Sequence, residues 1–177
     1  MRTFIALLFN DEIKNKIYDY LEEVEEMSES GNFSSFDNLH LTILYLGEIS
    51  PAMVEKVKTK LQEIVFHKFN YETEKLGFFK KGQNKRIVYL GVKKSYNLES
   101  LYNFVTFKLK EVGLNFPTEK YTPHITLGRQ VTLISDDDLF QIKTENQIIE
   151  ANRISIMEST RIDGELTYIE RHNIPLK

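Results

Sequence analysis

Apolar positions along this chain follow two periods, and the switches between them mark out its elements. The run Phe4-Ile5-Ala6-Leu7-Leu8-Phe9 predicts a buried strand over 2–9. Ile13, Ile17, Tyr20, Leu21 and Val24 then recur at helical spacing. They predict a helix capped by Asn10 or Asp11 and running to about residue 29, where Ser30-Gly31-Asn32 ends it. A strand is expected over 39–46. Ser50-Pro51 caps and opens a second helix whose apolar stripe is Val54, Val57, Leu61, Ile64 and Val65. Residues 66–79 and 86–93 read as strands joined by the turn Lys81-Gly82-Gln83-Asn84. A third helix over 97–112 turns Leu98, Leu101, Phe104, Val105 and Leu109 inward and stops at Gly113. A strand over 122–129 follows, then a short acidic helix near 135–141 that Ser135 can cap. Two strands near 147–159 and 165–173 meet at Asp163-Gly164.

The order repeats. Each half runs strand, helix, strand, helical segment and two strands. An α+β fold is expected, bilobed, with two pseudo-symmetric lobes. Each lobe has an antiparallel sheet with flanking helices, and the active cleft lies between them. Residues 1–177 are expected to form a single domain of two intertwined lobes. Neither a Gly-rich phosphate loop nor a strand–helix alternation indicates a parallel nucleotide-binding sheet.

The two matched strands carry one phrase twice, as His40-Leu41-Thr42-Ile43 and His124-Ile125-Thr126-Leu127. Strand side chains alternate faces. His40 and Thr42 therefore share one face, as do His124 and Thr126, and the intervening apolar residues can be buried. Either copy alone reads equally as a core histidine bonded to its threonine. Two copies facing across a cleft supply an acid, a base and two hydroxyls. Imidazole titrates near neutrality, so one ring can accept a proton while its partner gives one. His67 and His172 have no Thr two residues on and read as surface or strand-end residues.

The chain has 177 residues, 41% hydrophobic and 12% aromatic, enough for a sizeable core. It has no Cys, which excludes disulfides, thiolate catalysis and Cys-based zinc sites, and is compatible with a reducing compartment. The apolar run at 4–9 is too short for a secretory segment, and nothing is long enough to span a membrane. A cytoplasmic location is expected. Net charge is −3, so no overall basic character advertises nucleic acid. The distribution is uneven. Residues 11–29 hold eight acids and two lysines, whereas 75–98 hold seven bases and no acid. The second stretch either attracts a polyanion or is a solubilising hairpin with a lysine-rich edge.

Taken together, several phrases resemble the 2H phosphoesterases. The closest likeness is to their bacterial and archaeal RNA 2',3'-cyclic phosphodiesterases, once called 2'-5' RNA ligases. The phrases are Arg2-Thr3-Phe4-Ile5-Ala6, Asn38-Leu39-His40-Leu41-Thr42 with Leu46-Gly47-Glu48, Arg86-Ile87-Val88-Tyr89-Leu90-Gly91-Val92, and Pro123-His124-Ile125-Thr126-Leu127-Gly128-Arg129. Glu158-Ser159 and Ile174-Pro175-Leu176 also match. The resemblance implies a cleft that needs no metal or cofactor and opens a 2',3'-cyclic phosphate to a 2'-phosphate. By the same resemblance His40 protonates the leaving O3' and His124 activates water. Thr42 and Thr126 hold the non-bridging oxygens, and Arg129 holds phosphate or the RNA end. Asn32-Phe33 stands where the branch often has Arg-Trp, so Phe33 is expected to keep an aromatic platform without the charge. Tyr121 is a candidate for base stacking or for the core, and Arg86 for the cleft or its rim. The expected partners are RNA ends bearing a cyclic phosphate, or small cyclic or 2'-5' nucleotides, bound by a monomer.

Overall fold

Side-chain caps set where the helices begin. In the computed structural model, which describes residues 1–117 and 119–177, Asn10 accepts a hydrogen bond from the Ile13 amide and starts α1 (Asp11–Glu26). Asp11 and Glu12 then lie in the first turn, where the helix dipole favours negative charge. Ser50 caps α2 (Pro51–Gln62) through the Met53 amide, and Ser95 caps α3 (Tyr96–Lys110) through Leu98. The expected cap by Ser135 is not made, and the acidic α4 (Asp136–Leu139) is a single turn. Gly113 takes the left-handed conformation, with φ of +88°, just past α3.

The inner stripes of the helices are Ile17, Leu21 and Val24, then Val54, Val57 and Leu61, then Leu98, Leu101, Val105 and Leu109. Two residues expected inside are not. Val65 is 65% exposed because α2 ends before it, and Phe104 is 47% exposed, with its ring edge-on to that of Phe66.

Among the described residues, nine strands form two antiparallel sheets. The first lobe's sheet contains β1 (Arg2–Leu7), β3 (Leu41–Glu48), β8 (Arg153–Ile162) and β9 (Glu165–Pro175), in the order β3-β1-β8-β9. The second lobe's sheet contains β2 (Ser28–Phe33), β4 (Phe69–Lys81), β5 (Lys85–Val92), β6 (His124–Leu133) and β7 (Ile148–Ala151), in the order β2-β6-β5-β4-β7. Each sheet takes strands from both halves of the chain.

Two features depart from the expected pattern. Ser28–Phe33, read as a helix stop, is an edge strand paired with β6. The stretch expected as one strand over 147–159 breaks at Asn152. Its first part pairs with β4 in the second lobe, and the rest pairs with β1 in the first.

The main core lies between sheets and helices. A second, smaller cluster of Phe4, Ala6 and Met157, with Leu8 and Tyr168 against it, covers the opposite face of the first sheet. β1 is therefore buried on both sides, with Ile5 and Leu7 in the main core and Phe4 and Ala6 beneath the first histidine motif. Leu101→Ala is expected to cost about 2–5 kcal/mol in chemical denaturation, and Phe104→Ala less than about half of that. Equal losses would contradict this placement of α3.

Candidate active site

A bulge in each histidine strand decides which side chains reach the cleft. Regular alternation would put Tyr45 on the core face with Leu41 and Ile43. Instead Thr42 pairs with Ala6 and Leu44 with Ile5, so Ile43 is an extra residue. Ile43 and Leu44 are both buried, and Tyr45 emerges on the face of Thr42, opposite Phe4. β6 repeats the device. Thr126 pairs with Tyr89 and Gly128 with Val88, leaving Leu127 as the extra residue and returning Arg129 to the face of Thr126. Tyr45 and Arg129 stand at the same offset from their histidines. They meet between the lobes, where Nη2 of Arg129 donates to the Tyr45 hydroxyl at 3.2 Å.

The two imidazoles are held alike. His40 Nδ1 lies 2.7 Å from the Asn38 carbonyl, and His124 Nδ1 lies 2.8 Å from the Thr122 carbonyl. A carbonyl only accepts, so Nδ1 carries the hydrogen and Nε2 of the neutral ring is an acceptor. In His40 that Nε2 takes the Thr42 hydroxyl at 2.8 Å. Each ring also sits against a Phe and a Tyr. Phe4 and Tyr168 flank His40 at centroid distances of 5.0 and 5.3 Å, and Phe79 and Tyr89 flank His124 at 5.1 and 5.4 Å. Tyr89 can lie across its sheet because Gly77 faces it; a Cβ there would come within 2.7 Å of the hydroxyl.

Sequence reasoning missed these four aromatic walls, since alternation alone does not say which strands neighbour the histidines. It also missed the part played by Asn38. The buried Asn38 side chain donates to the Leu166 carbonyl at 2.9 Å and accepts from the Tyr168 amide at 3.2 Å. One residue thus ties the His40 loop to β9 below Tyr168. A clue was an Asn ahead of a strand with no helix to cap.

Tyr121 is a strut. Its hydroxyl donates to the Thr42 carbonyl at 2.9 Å, and its ring stacks on Tyr102 at 4.7 Å, which covers one face. Arg86 and Phe33 do not belong to the cleft. On β5, Arg86 shares the buried face of Val88 and Leu90, while Ile87 and Tyr89 face the other way. Its guanidinium is paired with Asp136 at 3.1 Å, bonded to the carbonyls of Gln83 and Lys85, and packed over Phe78. The Phe33 ring covers Gly31 and Gly128, touches Val131 and packs on the main core. His67 is exposed, and His172 lies 3.3 Å from Glu55. A cavity of about 570 Å³ beside Asn10, Lys16 and Gln147 holds neither histidine motif.

Burial pushes the His40 pKa down to about 4, with the nearby charges of Arg129 and His124 adding to the effect and the Asn38 bond opposing it. Burial also lowers His124, again with help from Arg129. Arg129 has no carboxylate partner among the described residues. The cleft therefore holds two neutral imidazoles, two threonine hydroxyls and an uncompensated cation, a set suited to a tetrahedral oxyanion. Among the described residues, no three His, Asp or Glu side chains gather as a metal site.

Two antiparallel sheets thus each offer a His and a Thr from a bulged strand. A family model described as LigT-like phosphoesterase matches residues 7–89. A protein of Thermotoga maritima named RNA 2',3'-cyclic phosphodiesterase is 33% identical over 131 residues, covering 73% of this chain and 70% of that protein. One of the same name from Archaeoglobus fulgidus is 33% identical over 129 residues, covering 73% and 72%. The chain belongs to the LigT-like phosphoesterase family. In fold it is similar to E. coli LigT crystallised with 3'-AMP, with a TM-score of 0.79 at 20% identity over 99% of this chain and 97% of that one.

His40 binds a proton near pH 4 when folded and near 6.5 when unfolded, so the unfolded chain protonates first as pH falls. Stability from this group is complete above pH 6.5 and drains away towards pH 4, by at most about 3 kcal/mol. Urea unfolding at pH 7 and pH 4.5 is expected to show a smaller acid loss in His40→Leu than in the wild type. An equal loss would remove His40 as the cause.

Proposed function

We propose that this protein hydrolyses 2',3'-cyclic phosphate ends of RNA to 2'-phosphates by paired-histidine general acid–base catalysis. The observation that carries this reading is the matched holding of the two rings. Each has Nδ1–H tied to a backbone carbonyl, which leaves Nε2 as the acceptor, with a threonine hydroxyl on the same face; His40 Nε2 takes that of Thr42. The two 33%-identical relatives named RNA 2',3'-cyclic phosphodiesterase support the substrate.

In this reaction one imidazole takes a proton from water as its oxygen bonds to phosphorus. The P–O3' bond breaks, and the other imidazole delivers a proton to the departing O3'. The product carries a 3'-hydroxyl and a 2'-phosphate. Each proton transfer is worth typically ~10²–10⁴-fold. Thr42, Thr126 and Arg129 bond the non-bridging oxygens as negative charge gathers on them. Binding turns the Thr42 hydroxyl from His40 Nε2 towards phosphate and frees that nitrogen.

We assign the donor role to His40 and the base role to His124, following the family resemblance. In the empty cleft His40 is held further towards neutral than an ordinary histidine, so the assignment requires the phosphate anion to raise it on binding. Both motifs come from one chain and each sheet takes strands from both halves, which supports one domain acting as a monomer. The absence of Cys suits a reducing, cytoplasmic setting. No helix among the described residues is long and apolar enough to cross a membrane.

His40→Ala and His124→Ala are each expected to lower kcat by about 10²-fold or more while keeping their urea midpoints near the wild-type value. A cyclic substrate with sulfur in place of O3' leaves without a proton. It is expected to restore turnover in His40→Ala and not in His124→Ala. Rescue of His124→Ala alone would exchange the roles, and near-normal kcat in either variant on the oxygen substrate would end the paired mechanism.

A further inference from the structure

The seven bases of residues 75–98 do not all have the same surroundings. Arg86 is neutralised by Asp136 and Lys93 by Glu72. Lys81 and Lys85 are left at the turn end of the β4–β5 hairpin, directly opposite one another in the register. Like charges facing across two strands are destabilising. No carboxylate among the described residues relieves this pair; Lys85 bonds only the Thr132 hydroxyl, at 3.1 Å.

Alternation places the pair. On β5, Lys85, Ile87 and Tyr89 share the half-exposed face, while Arg86, Val88 and Leu90 are buried. On β4, Phe79 faces Ile87 and Lys81 faces Lys85. Phe79 and Tyr89 are the residues against His124. A continuous strip therefore leaves the active cleft at His124, crosses Phe79 and Ile87, and ends at two uncompensated ammonium groups. From Tyr89 to Lys85 the strand covers about 14 Å, more than one nucleotide needs.

The first lobe offers no such exit. The equivalent hairpin, β8–β9, carries Asp163 and Glu165 at its tip. Of its three arginines, Arg153 is paired with Glu170 and Arg171 with Glu158, and Arg161 is turned onto the Gly164 carbonyl at the acidic tip. The pseudo-symmetry of the fold is broken in charge, and a polyanion is steered to the second lobe.

We propose that the Phe79–Ile87–Lys81–Lys85 face of the β4–β5 hairpin is a track for the sugar-phosphate chain of single-stranded RNA lying 5' of the reacting end. This rests on the proposed function. It adds that the preferred substrate is an oligoribonucleotide rather than a cyclic mononucleotide. An apolar and aromatic floor supports bases without reading sequence, and the lysines meet phosphates one or two nucleotides from the cleft.

The test compares a cyclic 2',3'-mononucleotide with a decaribonucleotide ending in a 2',3'-cyclic phosphate. Both are given to the wild type, to the double variant Lys81→Gln/Lys85→Gln, and to a charge-matched control, Lys56→Gln/Lys68→Gln. In the double variant KM for the decamer is expected to rise about tenfold, and its log–log salt slope to flatten by about 1.4. KM for the mononucleotide stays within about twofold, since two lysines outside the cleft do not touch it. Decamer kinetics equal to those of the control, or equal shifts for both substrates, would overturn the track and leave the cleft chemistry standing. Wild-type protein that turns over neither substrate would sink the proposed function instead. The anisotropy of a 5'-labelled decamer then judges the track alone: weaker binding by the double variant than by the control supports it, and equal binding refutes it.

Discussion

The extra residue inside each histidine motif, Ile43 in β3 and Leu127 in β6, is the constraint on which the site rests. Without Ile43 and Leu127 as bulges, Tyr45 and Arg129 would point into the core, and burying an unpaired guanidinium costs several kcal/mol. With them, each strand buries its apolar residues and still shows the cleft a histidine, a threonine and one more polar group. The device is shared, but the lobes fill it differently. The first buries Leu44 at the bulge. The second has Gly128 there, and the Phe33 ring from the neighbouring strand lies over that glycine. Phe33 is thus accounted for by packing.

Electrostatics follows from this geometry. The bulge in β6 brings Arg129 close enough to both rings to help burial drive their protons off. No acid answers that charge among the described residues, so an incoming anion supplies the missing partner. A phosphate that pairs with Arg129 also removes its smaller share of what keeps the histidines neutral, burial being the larger. In the proposed mechanism, binding of the substrate anion thereby contributes to protonating the acid.

Much of the fold was legible because it depends on local physics. Helical spacing, the Asn10 and Ser50 caps and the turns at Gly82 and Gly164 gave the elements, and the repeated phrase gave the histidines and threonines. What escaped depends on partners distant in sequence. Ser28–Phe33 is too polar to announce a strand, and only the edge of β6 makes it one. The break at Asn152 is a change of sheet, which no periodicity records. Arg86 and Phe33 resemble site residues in order along the chain, yet strand alternation and the gap over Gly128 assign both to the interior. Arg129 lies beyond the second phrase, and what brings it to Thr126 is a bulge that pairing with β5 defines.

In the proposed reaction one imidazole acts as base and the other, protonated on substrate binding, as acid, and Arg129 is the lone cation, with no help from a metal. The most direct measurement is to incubate an oligoribonucleotide ending in a 2',3'-cyclic phosphate with the protein and a strong chelator, then determine the end group. A 2'-phosphate with a free 3'-hydroxyl is the predicted product. A 3'-phosphate, or turnover that vanishes with the chelator, would contradict the account.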